Sequence, residues 1–150
     1  MKKYFLLLMV FPILFGCSTN SPNNNNPYLP NYTVNLEINL NLPLYYDLKF
    51  MSNAVYIPNQ GVRGIIVFNN SGTSFSAFDA ACPNQALSAC STMTFKKLDP
   101  NDPSKIDETN VVCACDNAEY SLFNGQSPGK QYPLKQYRVQ VNGNILRVYN

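Results

Sequence analysis

The sequence contains no histidine and no tryptophan. Because imidazole is the usual general base near neutral pH, the absence of histidine excludes Ser-His and Cys-His nucleophile pairs. It also excludes every metal site that needs an imidazole ligand. The remaining side chains show no combination of base and nucleophile that marks an active site. No catalytic residue is therefore predicted, and the chain is not expected to be an enzyme.

Net charge is also nearly absent. The formal charge is +2, and Lys2 and Lys3 at the start of the chain account for it. The rest of the sequence carries nine basic and nine acidic residues and has no basic block. Because nucleic-acid binding relies on clustered positive charge, no nucleic-acid partner is expected.

The first sixteen residues have the pattern of an export signal. Two lysines precede an apolar run at residues 4–15, which is too short to span a bilayer. The sequence Leu14-Phe15-Gly16-Cys17 follows, and it resembles a bacterial lipobox apart from the bulky Phe15. This resemblance implies acylation of Cys17 and attachment to a membrane through the lipid. The alternative is an ordinary secretory signal that leaves Cys17 as a free thiol.

Residues 17–31 are predicted to be a flexible tether. Residues 18–30 contain five asparagines and three prolines and have no hydrophobic periodicity. Either type of signal exports the chain to the cell envelope, where disulfides are stable. No acidic residue directly follows Cys17, which favours the outer membrane, with the protein facing the periplasm.

The rest of the chain, residues 32–150, is predicted to be one folded domain of short strands. Residues 32–42 alternate between apolar and polar side chains, as a half-buried strand does. Further strands are predicted at residues 54–57, 64–69, 74–79, 119–123, 136–141 and 145–148. No segment has a helical period over ten residues. The predicted fold class is all-β, a small antiparallel sandwich or barrel.

Residues 86–110 are the least regular part of the domain. Residues 93–98 could form a strand, but residues 99–104 are polar and contain two prolines. We interpret this segment as a solvated insertion. The acidic residues Asp79, Asp116 and Glu119 are interpreted as surface or turn residues.

Four of the five cysteines lie between Cys82 and Cys115. Two short motifs at strand ends, Cys82-Pro-Asn and Cys113-Ala-Cys-Asp, are typical of loops held together by a metal or by disulfides. Four cysteines allow three disulfide connectivities, and the sequence alone does not choose among them. A four-thiolate site for zinc or a 2Fe–2S cluster is an alternative, although Cys-x-Cys is tighter than the usual spacing. A redox-active dithiol is not indicated, because no Cys-x-x-Cys motif is present.

The order of these motifs resembles the Rieske-type iron–sulfur domain, in particular the small Rieske-like lipoproteins of Bacteroidetes-type bacteria. In Rieske domains, two cysteines bind one iron of a 2Fe–2S cluster and two histidines bind the other. Cys82 and Asn84 stand at the first pair of ligand positions, and Cys113 and Asp116 stand at the second pair. The resemblance covers roughly residues 34–150 and implies a Rieske-like fold with two cysteine-bearing loops.

Both histidine ligands are replaced, by Asn84 and Asp116. A carboxamide is a weak ligand for iron, and a carboxylate does not reproduce a neutral imidazole. No other histidine exists in the chain. We therefore predict that no cofactor or metal is bound at these former ligand positions.

The resemblance also implies how the cysteines pair. In Rieske proteins of the cytochrome bc type, a disulfide braces the two cluster loops, and its cysteines correspond to Cys90 and Cys115. Cys82 and Cys113, which would have shared one iron, could then form a second bridge.

These interpretations predict a membrane-anchored envelope lipoprotein whose Rieske-like domain has lost its cluster. The domain would be a non-catalytic binding or structural module with an unknown protein partner. The alternative is a 2Fe–2S electron-transfer protein with unusual ligands, which would be a redox component of an oxidoreductase system.

Overall fold

The computed structural model of the protein describes residues 25–150. The predicted signal peptide, residues 1–16, and the predicted lipidation site Cys17 lie outside the described residues. Within the described part, no helix combines the length and the hydrophobicity that crossing a membrane requires. The elements in chain order are β1 (Asn35–Asn39), a 3-10 helix (Pro43–Lys49), β2 (Ala54–Ile57), β3 (Ile65–Asn69), β4 (Phe75–Asp79), β5 (Met93–Asp99), β6 (Asp102–Cys113), β7 (Glu119–Ser121), β8 (Gln136–Asn142) and β9 (Ile145–Tyr149).

The strands form two antiparallel sheets. Six strands make the larger sheet in the order β1-β9-β8-β4-β3-β2, and β5-β6-β7 make the smaller one. A single bridge between Ala81 and Thr92 links the chain after β4 to the chain before β5. The predicted all-β class with short antiparallel strands is confirmed.

Hydrophobic periodicity explains most of the strand positions. Strand β3 lies inside the larger sheet, and all five of its residues are buried, as its continuous apolar sequence requires. In β1 the alternation places Ile38 in the core, whereas Leu36 is half-buried. Leu42 is half exposed, because the chain has already left the strand and enters the 3-10 helix at Pro43.

Two hydrophobic clusters fill the domain. One cluster contains residues of the larger sheet, such as Ile38 and Tyr137, together with Leu48 of the 3-10 helix. The other contains Phe68 and Tyr120, together with both buried cysteines of the loops: Cys82 and Cys113. The cysteine-bearing end of the domain therefore rests directly on packed apolar side chains.

The predicted solvated insertion at residues 86–110 is wrong in its second half. Strands β5 and β6 form a long hairpin that turns at Pro100 and Asn101, and β6 is twelve residues long. The pairing register between β5 and β6 shifts between Phe95 and Lys96 and again between Lys97 and Asp99. Because the outer part of the hairpin is solvated on both faces and irregular in register, its sequence shows no period of two.

The folded part also begins earlier than the sequence indicates. Leu29 is 4% exposed, and the side-chain amide of Asn26 donates a hydrogen bond to the carbonyl of Pro83 at 2.8 Å. The buried ammonium group of Lys135 donates to the carbonyl of Pro30 and to the side-chain oxygen of Asn31. Residues 25–31, which the sequence assigns to the tether, are therefore packed against the domain.

We expect Lys135→Met to release this segment. Burial lowers the pKa of the Lys135 ammonium group, and its hydrogen bonds to Pro30 and Asn31 offset the cost of that burial. Hydrogen exchange measured by mass spectrometry should be faster over residues 25–31 in the variant. The exposed Lys97→Met is the matched control, and equal exchange in both variants would contradict the assigned role.

Candidate functional site

The first cysteine-bearing loop, residues 82–91, is closed at its base by backbone hydrogen bonds. The Cys82 amide donates to the Ser91 carbonyl at 3.0 Å, and the Met93 amide donates to the Ala80 carbonyl at 2.7 Å. These bonds continue the pairing of Ala81 with Thr92. The end of β4 thus delivers Cys82 into the core between the sheets.

The second cysteine-bearing loop, residues 113–118, is a tight turn at the end of β6. The Cys113 amide donates to the Ala118 carbonyl, and the Asn117 amide donates to the Cys113 carbonyl, both at 2.9 Å. Asn117 has a φ of 56°, in the left-handed region that asparagine tolerates better than most residues. This turn presents Cys115 toward the first loop, where it is bonded to Cys90.

Two disulfides join the loops. Cys82 is bonded to Cys113 with a Cα–Cα distance of 5.6 Å, and Cys90 is bonded to Cys115 with a Cα–Cα distance of 5.1 Å. Both separations lie in the normal range for disulfides. These are the two pairings that the family resemblance favours.

The two disulfides differ in exposure but lie next to each other. Cys82 and Cys113 are each 1% exposed, whereas Cys90 is exposed and Cys115 is half-buried. The Sγ atoms of Cys82, Cys113 and Cys115 all lie within 4.8 Å of one another. We refer to the four cysteine sulfurs as the sulfur cluster, Cys82–Cys113 as the inner disulfide and Cys90–Cys115 as the outer disulfide.

Polar side chains surround the sulfur cluster. The Ser88 hydroxyl lies 3.2 Å from the Cys90 sulfur and 3.5 Å from the Cys115 sulfur. The Ser91 hydroxyl lies 3.7 Å from the Cys115 sulfur and 3.0 Å from the Ser88 hydroxyl. Neither serine was predicted from the sequence, although their places on either side of Cys90 could have indicated them.

Asn84, which stands where the resembled family has a histidine ligand, is bonded to neighbouring protein groups. Its amide nitrogen donates to the Tyr120 hydroxyl at 2.8 Å and to the Tyr132 carbonyl at 2.7 Å. Its amide oxygen accepts a hydrogen bond from the Tyr132 backbone amide at 2.9 Å. Asn84 therefore ties the first loop to a third loop, residues 126–134.

Asp116, which stands at the second histidine position of the resembled family, also contacts this third loop. Its carboxylate lies 2.6 Å from the Lys130 ammonium group and accepts a hydrogen bond from the Ala118 amide at 3.1 Å. The Lys130 hydrogen bond holds the pKa of Asp116 below its ordinary value, against the opposing effect of partial burial. Asn84 and Asp116 thus both connect loops.

We expect the pKa of Asp116 to rise toward 3.8 in Lys130→Met, because 3.8 is its ordinary value. Because the pKa of Asp116 is lower in the folded protein than its ordinary value of 3.8, the ion pair with Lys130 stabilises the fold fully above about pH 3.8. That stabilisation is lost as the pH falls through the folded-state pKa. A carboxyl ¹³C titration by NMR measures the shift, and an unchanged Asp116 titration in Lys130→Met would contradict it.

The interpretation of Asp79 as a surface residue is wrong. Asp79 is 0% exposed, and its carboxylate accepts hydrogen bonds from the amides of Val62, Arg63 and Ala81 and from the Tyr137 hydroxyl. A loop whose amides point inward needs a buried acceptor, and no periodic pattern reveals that requirement. Among the other predicted acidic surface residues, Glu119 pairs with Lys96 at 2.8 Å, on a half-exposed surface.

The residues at the sulfur cluster do not fit a Rieske centre. The two cysteines that would hold one iron are bonded to each other, and the side chains at the two histidine positions are bonded to Tyr132 and Lys130. Three sulfurs are close enough together to share a metal ion, but they would first have to be reduced.

Comparisons with known proteins give structural similarity at low sequence identity. No protein-family profile and no curated protein sequence match the chain. One similar structure is the ferredoxin of carbazole 1,9a-dioxygenase from Nocardioides aromaticivorans IC177, with 14% identity over 68% of this chain and 88% of that chain, at a TM-score of 0.42. Another is a protein from Mycobacterium tuberculosis described as an NADH-dependent nitrite reductase small subunit, with 14% identity over 80% of this chain and 97% of that chain, at a TM-score of 0.45. At these values the similarity assigns neither an activity nor a cofactor to this chain.

Proposed function

We propose that this protein is an envelope lipoprotein whose Rieske-type domain no longer carries a cluster and acts as a non-catalytic binding or structural module. The observation that carries the proposal is that the side chains at the two former histidine positions bond other parts of the protein. Asn84 and Asp116 hold the third loop through Tyr132 and Lys130. Side chains committed to these bonds are not free donors for iron.

The chemistry of the donors supports the same conclusion. The chain has no histidine with which to replace the missing imidazoles. In addition, each of the four cysteines in the loops has another cysteine as its partner. Two disulfides and the contacts of the third loop make this end of the domain rigid, and a rigid surface loses less conformational entropy when a partner binds. The expected partner is a protein in the same compartment, while the lipid on Cys17 holds the chain at the membrane.

The decisive measurement is the iron and acid-labile sulfide content of residues 18–150, exported to the periplasm of iron-replete cells. We expect neither element in stoichiometric amount and no visible absorption band. A ferredoxin with intact cysteine and histidine ligands, expressed in parallel, shows that the cells supply clusters. A coloured protein with stoichiometric iron and sulfide would favour the alternative function, 2Fe–2S electron transfer.

The state of the cysteines is tested separately by mass spectrometry of the unreduced protein after alkylation. We expect no alkylated cysteine among the four in the loops. Four alkylated cysteines would exclude structural disulfides.

Membrane attachment has its own test, the distribution of Cys17→Ala between soluble and membrane fractions. Without an acyl chain the variant should move to the soluble periplasmic fraction, because no other anchor is proposed. Density-gradient separation of the wild-type membranes then tests the expected outer-membrane location. Wild-type amounts of Cys17→Ala in the membrane fraction would show that acylation is not the anchor.

A further inference from the structure

We infer that the two disulfides form a relay for thiol–disulfide exchange with an external dithiol. In this relay the outer disulfide reacts first, and Cys115 then exchanges with the inner disulfide. The inference adds an activity to the proposed function, and it rests on the proposal that the cysteines hold disulfides in place of a cluster.

Exposure fixes the order in which the two disulfides can react. Cys90 is exposed, whereas both sulfurs of the inner disulfide belong to residues that are 1% exposed. A thiolate must reach a sulfur atom directly to attack it. An external thiol can therefore reach Cys90, but it cannot reach Cys82 or Cys113.

The first step is an ordinary exchange with a dithiol as the reductant. One thiolate of the dithiol attacks the Cys90 sulfur, the Cys90–Cys115 bond breaks, and Cys115 leaves as a thiolate. The mixed disulfide joins Cys90 to one sulfur of the dithiol. The second thiol of the dithiol then attacks that sulfur, and Cys90 is released as a thiolate. The dithiol loses two electrons and becomes a disulfide, and the protein gains these electrons as two thiols.

The surroundings of Cys115 favour its departure as a thiolate. The hydroxyl groups of Ser88 and Ser91 lie 3.5 Å and 3.7 Å from its sulfur. Hydrogen bonds to the charged form stabilise a thiolate, and a more stable leaving thiolate accelerates exchange. The Ser88 hydroxyl is the donor best placed to act, because it lies beside both sulfurs of the outer disulfide.

The second step takes place inside the sulfur cluster. The Cys115 sulfur lies within 4.8 Å of the sulfurs of Cys82 and Cys113. Attack on Cys82 forms a Cys82–Cys115 bond, breaks the inner disulfide and releases Cys113 as a thiolate. The side-chain amide of Gln85, 3.7 Å from the Cys113 sulfur, is placed to stabilise this thiolate. The number of electrons is unchanged, because one disulfide replaces another.

Attack on Cys113 is the less favourable route. Cys113 and Cys115 are two residues apart in a turn that two backbone hydrogen bonds close. A Cys113–Cys115 bond would deform this turn, whereas a Cys82–Cys115 bond still joins the two loops. A second dithiol then reduces the remaining bond, so the domain accepts four electrons in two steps of two.

The relay is tested by disulfide mapping of the acylated, full-length protein in detergent. Cys90→Ser leaves Cys115 as a free thiol next to the inner disulfide. After acid quenching, alkylation and peptide mapping, we expect a Cys82–Cys115 bond with the alkyl group on Cys113 in a large share of the molecules. A fully retained Cys82–Cys113 bond, with the alkyl group on Cys115 alone, would overturn the inference.

Cys115→Ser is the matched control, because it also removes the outer disulfide but leaves only the exposed Cys90 free. In this variant we expect the inner disulfide to persist and the alkyl group to lie on Cys90. Exchange of the inner disulfide in this control would show that Cys115 is not the transferring residue.

Wild-type protein provides a test without cysteine substitutions. After treatment with one equivalent of dithiothreitol, the relay predicts alkylation of Cys90 and Cys113, whereas simple reduction predicts alkylation of Cys90 and Cys115. Ser88→Ala should slow the first step by about 10-fold through the loss of leaving-group stabilisation. Iron and sulfide in the same sample would refute the proposed loss of the cluster, whereas an iron-free sample without exchange would refute the relay alone.

Discussion

Asp79→Ala is expected to lower the free energy of unfolding by about 3–5 kcal/mol, because it leaves several buried donors without an acceptor and each such donor costs about 1–3 kcal/mol. The carboxylate is fully buried. Its oxygens accept hydrogen bonds from the Val62 amide at 2.6 Å, the Ala81 amide at 2.9 Å and the Tyr137 hydroxyl at 2.7 Å. Alanine would leave these buried donors without an acceptor.

The matched control is Tyr137→Phe, which removes one donor and leaves the carboxylate with its backbone partners. Its expected cost is about 1.5–3 kcal/mol, the usual range for a single hydrogen bond to a charged group. Urea unfolding followed by circular dichroism measures both variants. An Asp79→Ala variant no less stable than Tyr137→Phe would contradict a central role for Asp79.

The same site explains why the sequence has glycine at position 61. Gly61 has a φ of 62°, in the left-handed region, and a Cβ atom there would collide with the Asp79 carboxylate and the Tyr137 hydroxyl. The tight turn that brings the Val62 amide onto Asp79 therefore requires a residue without a side chain.

Removal of the inner disulfide is the second large expected effect. The double variant Cys82→Ser/Cys113→Ser should be less stable than the wild type by more than about 3 kcal/mol, because the burial of two hydroxyl groups adds to the loop-closure entropy. The bond connects residues 31 positions apart. Without it, the unfolded chain gains conformational freedom, while the folded state must bury two hydroxyl groups in an apolar cluster.

Urea unfolding under non-reducing conditions measures this loss, and Cys90→Ser/Cys115→Ser is the comparison. That pair closes a similar span, 25 positions, but Cys90 is exposed, so its replacement should cost only the entropic part. In excess reductant the wild type loses both disulfides, so its stability should fall below that of either variant, each of which keeps one disulfide. Equal stability of the oxidised and reduced wild type would show that the disulfides do not support the fold.

The strands of the larger sheet were predictable because one face of each meets the core. Strand β2 was predicted at residues 54–57 and is observed at Ala54–Ile57. The β5–β6 hairpin was not predictable in the same way. Its outer half packs little apolar surface, so its pairing depends on backbone hydrogen bonds that every sequence can make.

At the candidate site, the chemical groups that are available can be read directly from the sequence. The sequence supplies four cysteines, three of them in two loop motifs, together with asparagine and aspartate where the resembled family has histidine, and no imidazole anywhere. It therefore determined which ligands an iron centre would lack, because the absence of a residue type does not depend on the fold.

Only the tertiary structure decided what these residues contact. The bonds of Asn84 to Tyr132, of Asp116 to Lys130 and of Asp79 to Val62 join residues 14 to 48 positions apart. Such contacts form where separate loops meet, and no local periodicity encodes them. The proximity of the inner and outer disulfides has the same origin, since it depends on how β4 and β6 bring two distant loops onto one apolar cluster.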